Sequence, residues 1–133
     1  MTRTVCLVDD DYSVQRAVRR LLQSAGYSVL VCSSAVEFLA LTELPHPLCV
    51  IVDVRMPGMT GTDLQAVLAR TRPGLPVIMI SGHADSAMMQ RSMSAGAAFF
   101  LSKPFEENAL LDAVGRAMPP DRVVGPVRIE FPG

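Results

Sequence analysis

A chain of 133 residues, half of them hydrophobic and 19% charged, with a formal net charge of −1, is one domain's worth of sequence with material for a single sizeable core. That charge removes the electrostatic case for nucleic-acid or membrane-surface binding by this segment, and no apolar run approaches the roughly 20 residues needed to span a bilayer. Met1-Thr2-Arg3-Thr4 leads into a short apolar run without a signal-peptide profile, and Cys6, Cys32 and Cys49 sit in predicted strands with no zinc spacing, so buried free thiols in a reduced cytoplasm are expected.

Short apolar runs alternate with amphipathic stretches along the chain. Val5–Val8 is the first predicted strand, and a helix follows in which Val14, Ala17, Val18, Leu21, Leu22 and Ala25 recur at helical spacing before Gly26 stops it. Ser28–Cys32 is the second strand. Ser34 and Glu37 form a capping box opening the second helix. Cys49–Val52 is the third strand, and Thr60 with Asp63 caps a third helix that Pro73-Gly74 separates from the strand Val77–Ile80. A fourth helix runs from about Asp85 to Ala95 and stops at Gly96. Ala98–Leu101 is the fifth strand, and the fifth helix, after Pro104, turns Leu110, Leu111, Val114 and Ala117 toward a core before Pro119-Pro120 ends it. Three of the strands read apolar throughout, as strands buried on both faces do. The alternation implies an open parallel α/β sheet with right-handed crossovers, although periodicity leaves strand order open.

In such sheets ligands bind beyond the carboxyl ends of the strands. The residues expected there are Asp9, Asp10 and Asp11 after the first strand and Asp53 at the end of the third, followed by Val54-Arg55-Met56-Pro57-Gly58. Ser81-Gly82 follows the fourth, and Ser102-Lys103-Pro104 the fifth. Taken singly, an acidic run is usually a solvated turn or a helix cap. Taken together, carboxylates, a hydroxyl and an ammonium converge on one edge. Clustered carboxylates raise a pKa or recruit a cation. With oxygen ligands and no soft donor nearby, that cation is hard and divalent, and Mg²⁺ suits best. A carboxylate beside Mg²⁺ can attack phosphorus and become an aspartyl phosphate, with Lys103 and Ser81 neutralising and binding the phosphoryl oxygens.

Val8-Asp9-Asp10-Asp11, Asp53 through Gly58, Ser81-Gly82 and Lys103-Pro104-Phe105, in this order and spacing, resemble the response-regulator receiver family (the CheY-like superfamily) over roughly residues 3–118. The resemblance implies a flavodoxin-like (βα)5 fold with a five-stranded parallel sheet in order 2-1-3-4-5 and helices on both faces. It implies Asp53 as the phosphoacceptor, and Mg²⁺ held by Asp10, Asp53 and the backbone carbonyl of Arg55, with Asp9 through water or a shared shell. It further implies Ser81 and Lys103 on the phosphoryl group, a cis peptide before Pro104, and Phe100 as the aromatic switch, turning from exposed toward buried. Ser81 stands where Thr is commoner, and Arg55 and His83 stand where the family tunes how long the phosphate survives. Arg55-Met56-Pro57, Ser81 through Asp85 and Ala95-Gly96-Ala97 look most like FixJ-type receivers, which usually precede a helix-turn-helix DNA-binding domain.

The expected function is therefore phosphoryl acceptance from a sensor histidine kinase, which switches the face made by the fourth helix, fifth strand and fifth helix. That face would control an output, with transcription through a domain outside this chain as the first expectation and a stand-alone receiver or phosphate shuttle as the alternative. A phosphorylation-dependent homodimer is expected, with no nucleic acid or membrane bound by the domain itself. Residues 1–118 would be the receiver and 119–133 a tail or linker. Two rival functions fit less well. An aspartyl-phosphate phosphatase needs a second acid two residues past Asp53, where Arg55 stands, and a flavodoxin needs a hydroxyl- and glycine-rich loop where Asp9-Asp10-Asp11 stands. Met88, Met89 and Met93 are expected to be core and surface filler, and His46, between two prolines, a solvated loop residue.

Overall fold

Runs of Val, Ile, Leu and Cys too short for helices become five strands: β1 (Thr4–Val8), β2 (Ser28–Cys32), β3 (Leu48–Asp53), β4 (Val77–Ser81) and β5 (Phe99–Ser102). Between and after them lie α1 (Tyr12–Ser24), α2 (Ala35–Leu39), α3 (Gly61–Thr71), α4 (Ser86–Ser94) and α5 (Glu107–Ala117). The computed structural model describes residues 2–83 and 85–118; the expected tail, 119–133, lies outside the described residues. The strands form one parallel sheet in the order β2-β1-β3-β4-β5, the flavodoxin-like arrangement. Every residue of β1, β3 and β4 is buried, which is why those strands read as continuous apolar runs.

Alternation along the strands splits the core into two layers. Val5, Leu7, Cys49, Ile51, Ile78 and Ile80 face α1 and α5, where Val18, Leu22, Leu110, Ala113 and Val114 meet them. Cys6, Val8, Val50, Val52 and Met79 face the other way, toward Phe38, Leu64, Leu68 and Met88 of α2, α3 and α4. The three cysteines are buried and free, and burial pushes the Cys49 thiol up to about 12. Among the described residues, no helix is long and apolar enough to cross a membrane.

Helix ends follow their sequence signals closely. Gly26 and Gly96 take φ of +95° and +106° just past α1 and α4, a left-handed turn that glycine makes without a Cβ penalty. Thr60 and Asp63 cap α3 reciprocally as expected. Ser34 caps α2 through the Glu37 amide, but the Glu37 carboxylate takes the Ser33 amide, one residue before the expected partner. β5 also begins one residue later than expected, at Phe99. Ala98 is held instead by a single bond from its amide to the Val77 carbonyl, 2.8 Å, at the strand's entrance.

Candidate functional site

The order of the sheet reverses between β1 and β3, so their carboxyl ends open a crevice that no crossover covers. Asp9 follows β1, and Asp53 is the last residue of β3. Asp9 is fully buried. Its Oδ1 accepts from the Asp11 amide at 2.9 Å and its Oδ2 from Lys103 Nζ at 2.9 Å. The Asp9 carbonyl takes the Gln15 side-chain amide at 2.6 Å, which ties this turn to α1. Asp53 is buried too, with Oδ1 accepting from the Arg55 amide and Oδ2 from Lys103 Nζ, both at 3.2 Å.

One ammonium therefore bridges two buried carboxylates. Lys103 reaches them from the end of β5, its backbone amide anchored on the Ser81 carbonyl at 2.8 Å and the following peptide to Pro104 cis. Asp10 completes the group from the solvent side: one oxygen each from Asp9, Asp10 and Asp53 can lie within 4.8 Å of one another. Asp11, the last of the acidic run, is diverted from the cluster and caps α1 through the Ser13 and Val14 amides. Ser81 is buried at the end of β4, its hydroxyl accepting from the His83 amide at 3.1 Å. The Arg55 side chain is exposed. Phe100 is half-buried against the layer of core that holds Met79 and Met88, not exposed as expected, because the α4 side of β5 shelters it.

The electrostatics are those of a crowded acidic pocket. Burial, and then the neighbouring Asp9 charge, hold the Asp53 carboxyl above its ordinary value, against the opposing pull of the Arg55 amide and Lys103. Burial alone would lower Lys103, but the hydrogen bond and charge of Asp9, followed by those of Asp53, outweigh it and raise the ammonium above its ordinary range. Three carboxylates against one ammonium leave the pocket net negative when all are ionised, and every donor is oxygen. That set suits a hard divalent cation, and Mg²⁺ in particular.

Two supporting residues escaped the sequence reading. Gln15 sits on an amphipathic helix where a polar residue signals nothing by itself. Gly61 opens α3 directly against the end of β3: its amide bonds the Val54 carbonyl at 2.9 Å, and a Cβ there would stand 1.9 Å from the Asp53 carbonyl oxygen. We expect Gly61→Ala to push the β3 terminus aside, to lower stability by about 1–3 kcal/mol as overpacking does, and to perturb the Asp53 and Arg55 amide resonances. A melting curve and a spectrum superposing on wild type would show that the backbone yields without cost.

The comparisons with known proteins agree with this geometry. The family model for the response regulator receiver domain matches residues 5–115. Nodulation protein W of Bradyrhizobium diazoefficiens is 44% identical over 118 residues, 89% of this chain and 52% of that protein. Transcriptional regulatory protein FixJ of Rhizobium meliloti is 36% identical over 114 residues, covering 86% and 56%. The solved structure of response regulator StyR superposes with a TM-score of 0.81 at 44% identity, over 89% of this chain and 60% of that one. The chain thus spans about half the length of the curated relatives it matches. Fold, pocket and relatives lead to one conclusion: the chain belongs to the response regulator receiver domain family.

Proposed function

We propose that this domain is a phosphorylation switch in which Asp53 takes the phosphoryl group from the phospho-histidine of a sensor histidine kinase. What carries the reading is the Lys103 ammonium shared between buried Asp9 and Asp53, with Asp10 beside them at the open end of the crevice. Receiver domains generally partner with histidine kinases, so the donor class follows from the family. A carboxylate oxygen of Asp53 attacks phosphorus, the P–N bond breaks, and its electron pair returns to the imidazole of the donor. The products are an acyl phosphate on Asp53 and free histidine on the kinase.

Asp9, Asp10, Asp53 and the Arg55 carbonyl would hold Mg²⁺, which supplies positive charge to the phosphoryl oxygens. Lys103 exchanges its bond to Asp53 for one to the phosphoryl group, and the Ser81 hydroxyl donates to another oxygen. Both groups already lie at the ends of neighbouring strands, so little rearrangement is needed to bring them into place. No external substrate is turned over; the domain is a signalling module, acting in the cytoplasm.

The acyl phosphate on Asp53 carries about -1.5 to -2 charges, where the free carboxylate carried one. Ser81 directly precedes the turn into α4, so its movement toward the phosphoryl group draws on that helix. Phe100, half-buried one strand away, moves further in as Ser81 leaves its path. The α4-β5-α5 face is thereby remade and pairs two receivers. Transcription is the output we favour, through a DNA-binding domain outside this chain, as the similarity to transcriptional regulatory protein FixJ suggests.

The metal assignment is tested by Asp10→Ala. We expect it to weaken Mg²⁺ binding by more than the roughly 10–100-fold that loss of an outer partner costs a metal site, and to reduce acetyl-phosphate labelling in parallel. Amide shifts followed during Mg²⁺ titration report the binding and acid-labile radiolabel the transfer. Unchanged binding and labelling would move the metal elsewhere.

A further inference from the structure

α4 is a lightly anchored helix. Of its nine residues only Met88 and Ser92 are buried, while Met89 and Met93 are each 43% exposed. Its start is fixed by Asp85, whose carboxylate accepts from the Met88 amide at 2.7 Å. Its other end is held by a side chain from α3. Gln65, itself buried, donates through Nε2 to the Ser92 carbonyl at 2.9 Å. That carbonyl also accepts from the Ala97 amide at 3.1 Å, so Gln65 grips the turn that closes the helix.

The amide is not fully satisfied. Gln65 Oε1 is buried and finds no hydrogen-bond partner among the described residues. Flipping the group would set that oxygen against the Ser92 carbonyl, so the donor must face α4 and the acceptor must face away. Gln65 also lines a pocket of about 100 Å³ between α3 and the α4 terminus, with Val77, Ala95 and Gly96 on its other walls. The terminus that the bond to Ser92 holds therefore has room beside it. A single hydrogen bond of this kind contributes modestly, on a scale that a differential interaction elsewhere can offset.

We propose that Gln65 is the positioning residue for α4: its amide keeps the C-terminal end of the helix in the resting place, and phosphorylation acts against that one bond. The coupling rests on the reading of Asp53 as phosphoacceptor. Ser81 pulls on the segment leading into α4, and Gln65 resists from the far end. Removing the bond therefore shifts the equilibrium toward the phosphorylated form without touching the phosphoryl site.

The test compares wild type with Gln65→Met, which keeps the volume but loses the amide, and Gln65→Asn, which keeps the amide but loses reach. In the unphosphorylated protein, amide exchange at residues 93–97 is expected to quicken roughly threefold to tenfold in both variants, the scale of one net hydrogen bond, with β1 and β3 unchanged. With Mg²⁺ present, the beryllofluoride concentration that half-converts α4 is expected to fall by a similar factor. Unchanged exchange in both variants overturns the holding role. Faster exchange with an unchanged midpoint leaves Gln65 a structural contact and overturns the coupling. If wild type shows no beryllofluoride response, the phosphoacceptor reading and the coupling fail together, and the exchange comparison still decides whether Gln65 holds α4. Should Gln65→Met fail to fold, Gln65→Asn carries the same comparison.

Discussion

Asp53→Asn is expected to abolish acid-labile labelling by acetyl phosphate or by a phosphorylated kinase, because an amide oxygen is too weak a nucleophile to take the phosphoryl group. The same substitution is expected to raise the melting temperature in metal-free buffer at neutral pH. The folded protein holds the Asp53 carboxyl above its ordinary value. Its contribution to stability is therefore complete below the unfolded value of 3.8 and is lost as pH rises through the raised folded value. Above that folded value wild type has lost the contribution, whereas an uncharged amide escapes the penalty. The two melting curves should converge as the buffer is acidified and wild type protonates. Wild-type labelling of the variant would remove Asp53 from the chemistry, and a variant that melts lower at pH 7 and converges nowhere would contradict the electrostatic account.

Lys103→Met is the second large effect. It leaves the buried Asp9 carboxylate without its ammonium and sets Asp9 and Asp53 against each other. Breaking a buried pair in this way costs up to about 3–5 kcal/mol, with the lower part of that range fitting a lysine side chain that is 19% exposed. The deficit should be largest at neutral pH and shrink on acidification, because the unpaired carboxylates then take up protons. Labelling is expected to fall roughly 10²–10³-fold, the usual loss when a donor to developing charge is removed. Mg²⁺ should nevertheless bind more tightly, since the cation it faced across the pocket is gone. Thermal melts at pH 4.5 and 7.5, each with and without Mg²⁺, separate these effects. Weaker Mg²⁺ binding in the variant would mean that Lys103 orders the carboxylates more than it repels the metal. In wild type, the raised Lys103 pKa adds stability that is present below the ordinary value of 10.5 and disappears as pH climbs past the folded value.

Much of this was legible in the residues, for physical reasons that differ from element to element. β1, β3 and β4 are buried on both faces, so their centres carry no polar interruptions and show clearly, while end residues Thr4, Leu48, Asp53 and Ser81 each lie one position beyond the expected bounds. β5 is an outer strand with its first three residues only half-buried, and there the predicted start slipped by one residue. Strand order depends on long-range pairing, which no local period records; it was expected from the family resemblance. The acidic residues around the crevice were visible because carboxylates after strands are conspicuous. Which of them serve the crevice came only from the family resemblance, which named Asp9 and Asp10; Asp11 is taken up by the amides at the start of α1. Gly61 and Gln65 were silent for another reason. A glycine opening a helix and a glutamine on its inner face look ordinary until the close approach to Asp53 and the carbonyl of Ser92 are seen in three dimensions.

The Arg3 guanidinium donates to the Met118 carbonyl at 2.9 Å, so the two ends of the described domain are stitched together by one side chain. They meet beside the entrance to β1, a full strand length from Asp53. Ends this close mean that splicing the domain into a loop of another protein would stretch that loop very little, since closing a short gap costs little chain entropy. The crevice would then open on the side away from the seam. The domain can be carried as a cartridge, its covalent connections at one pole and its chemistry at the other.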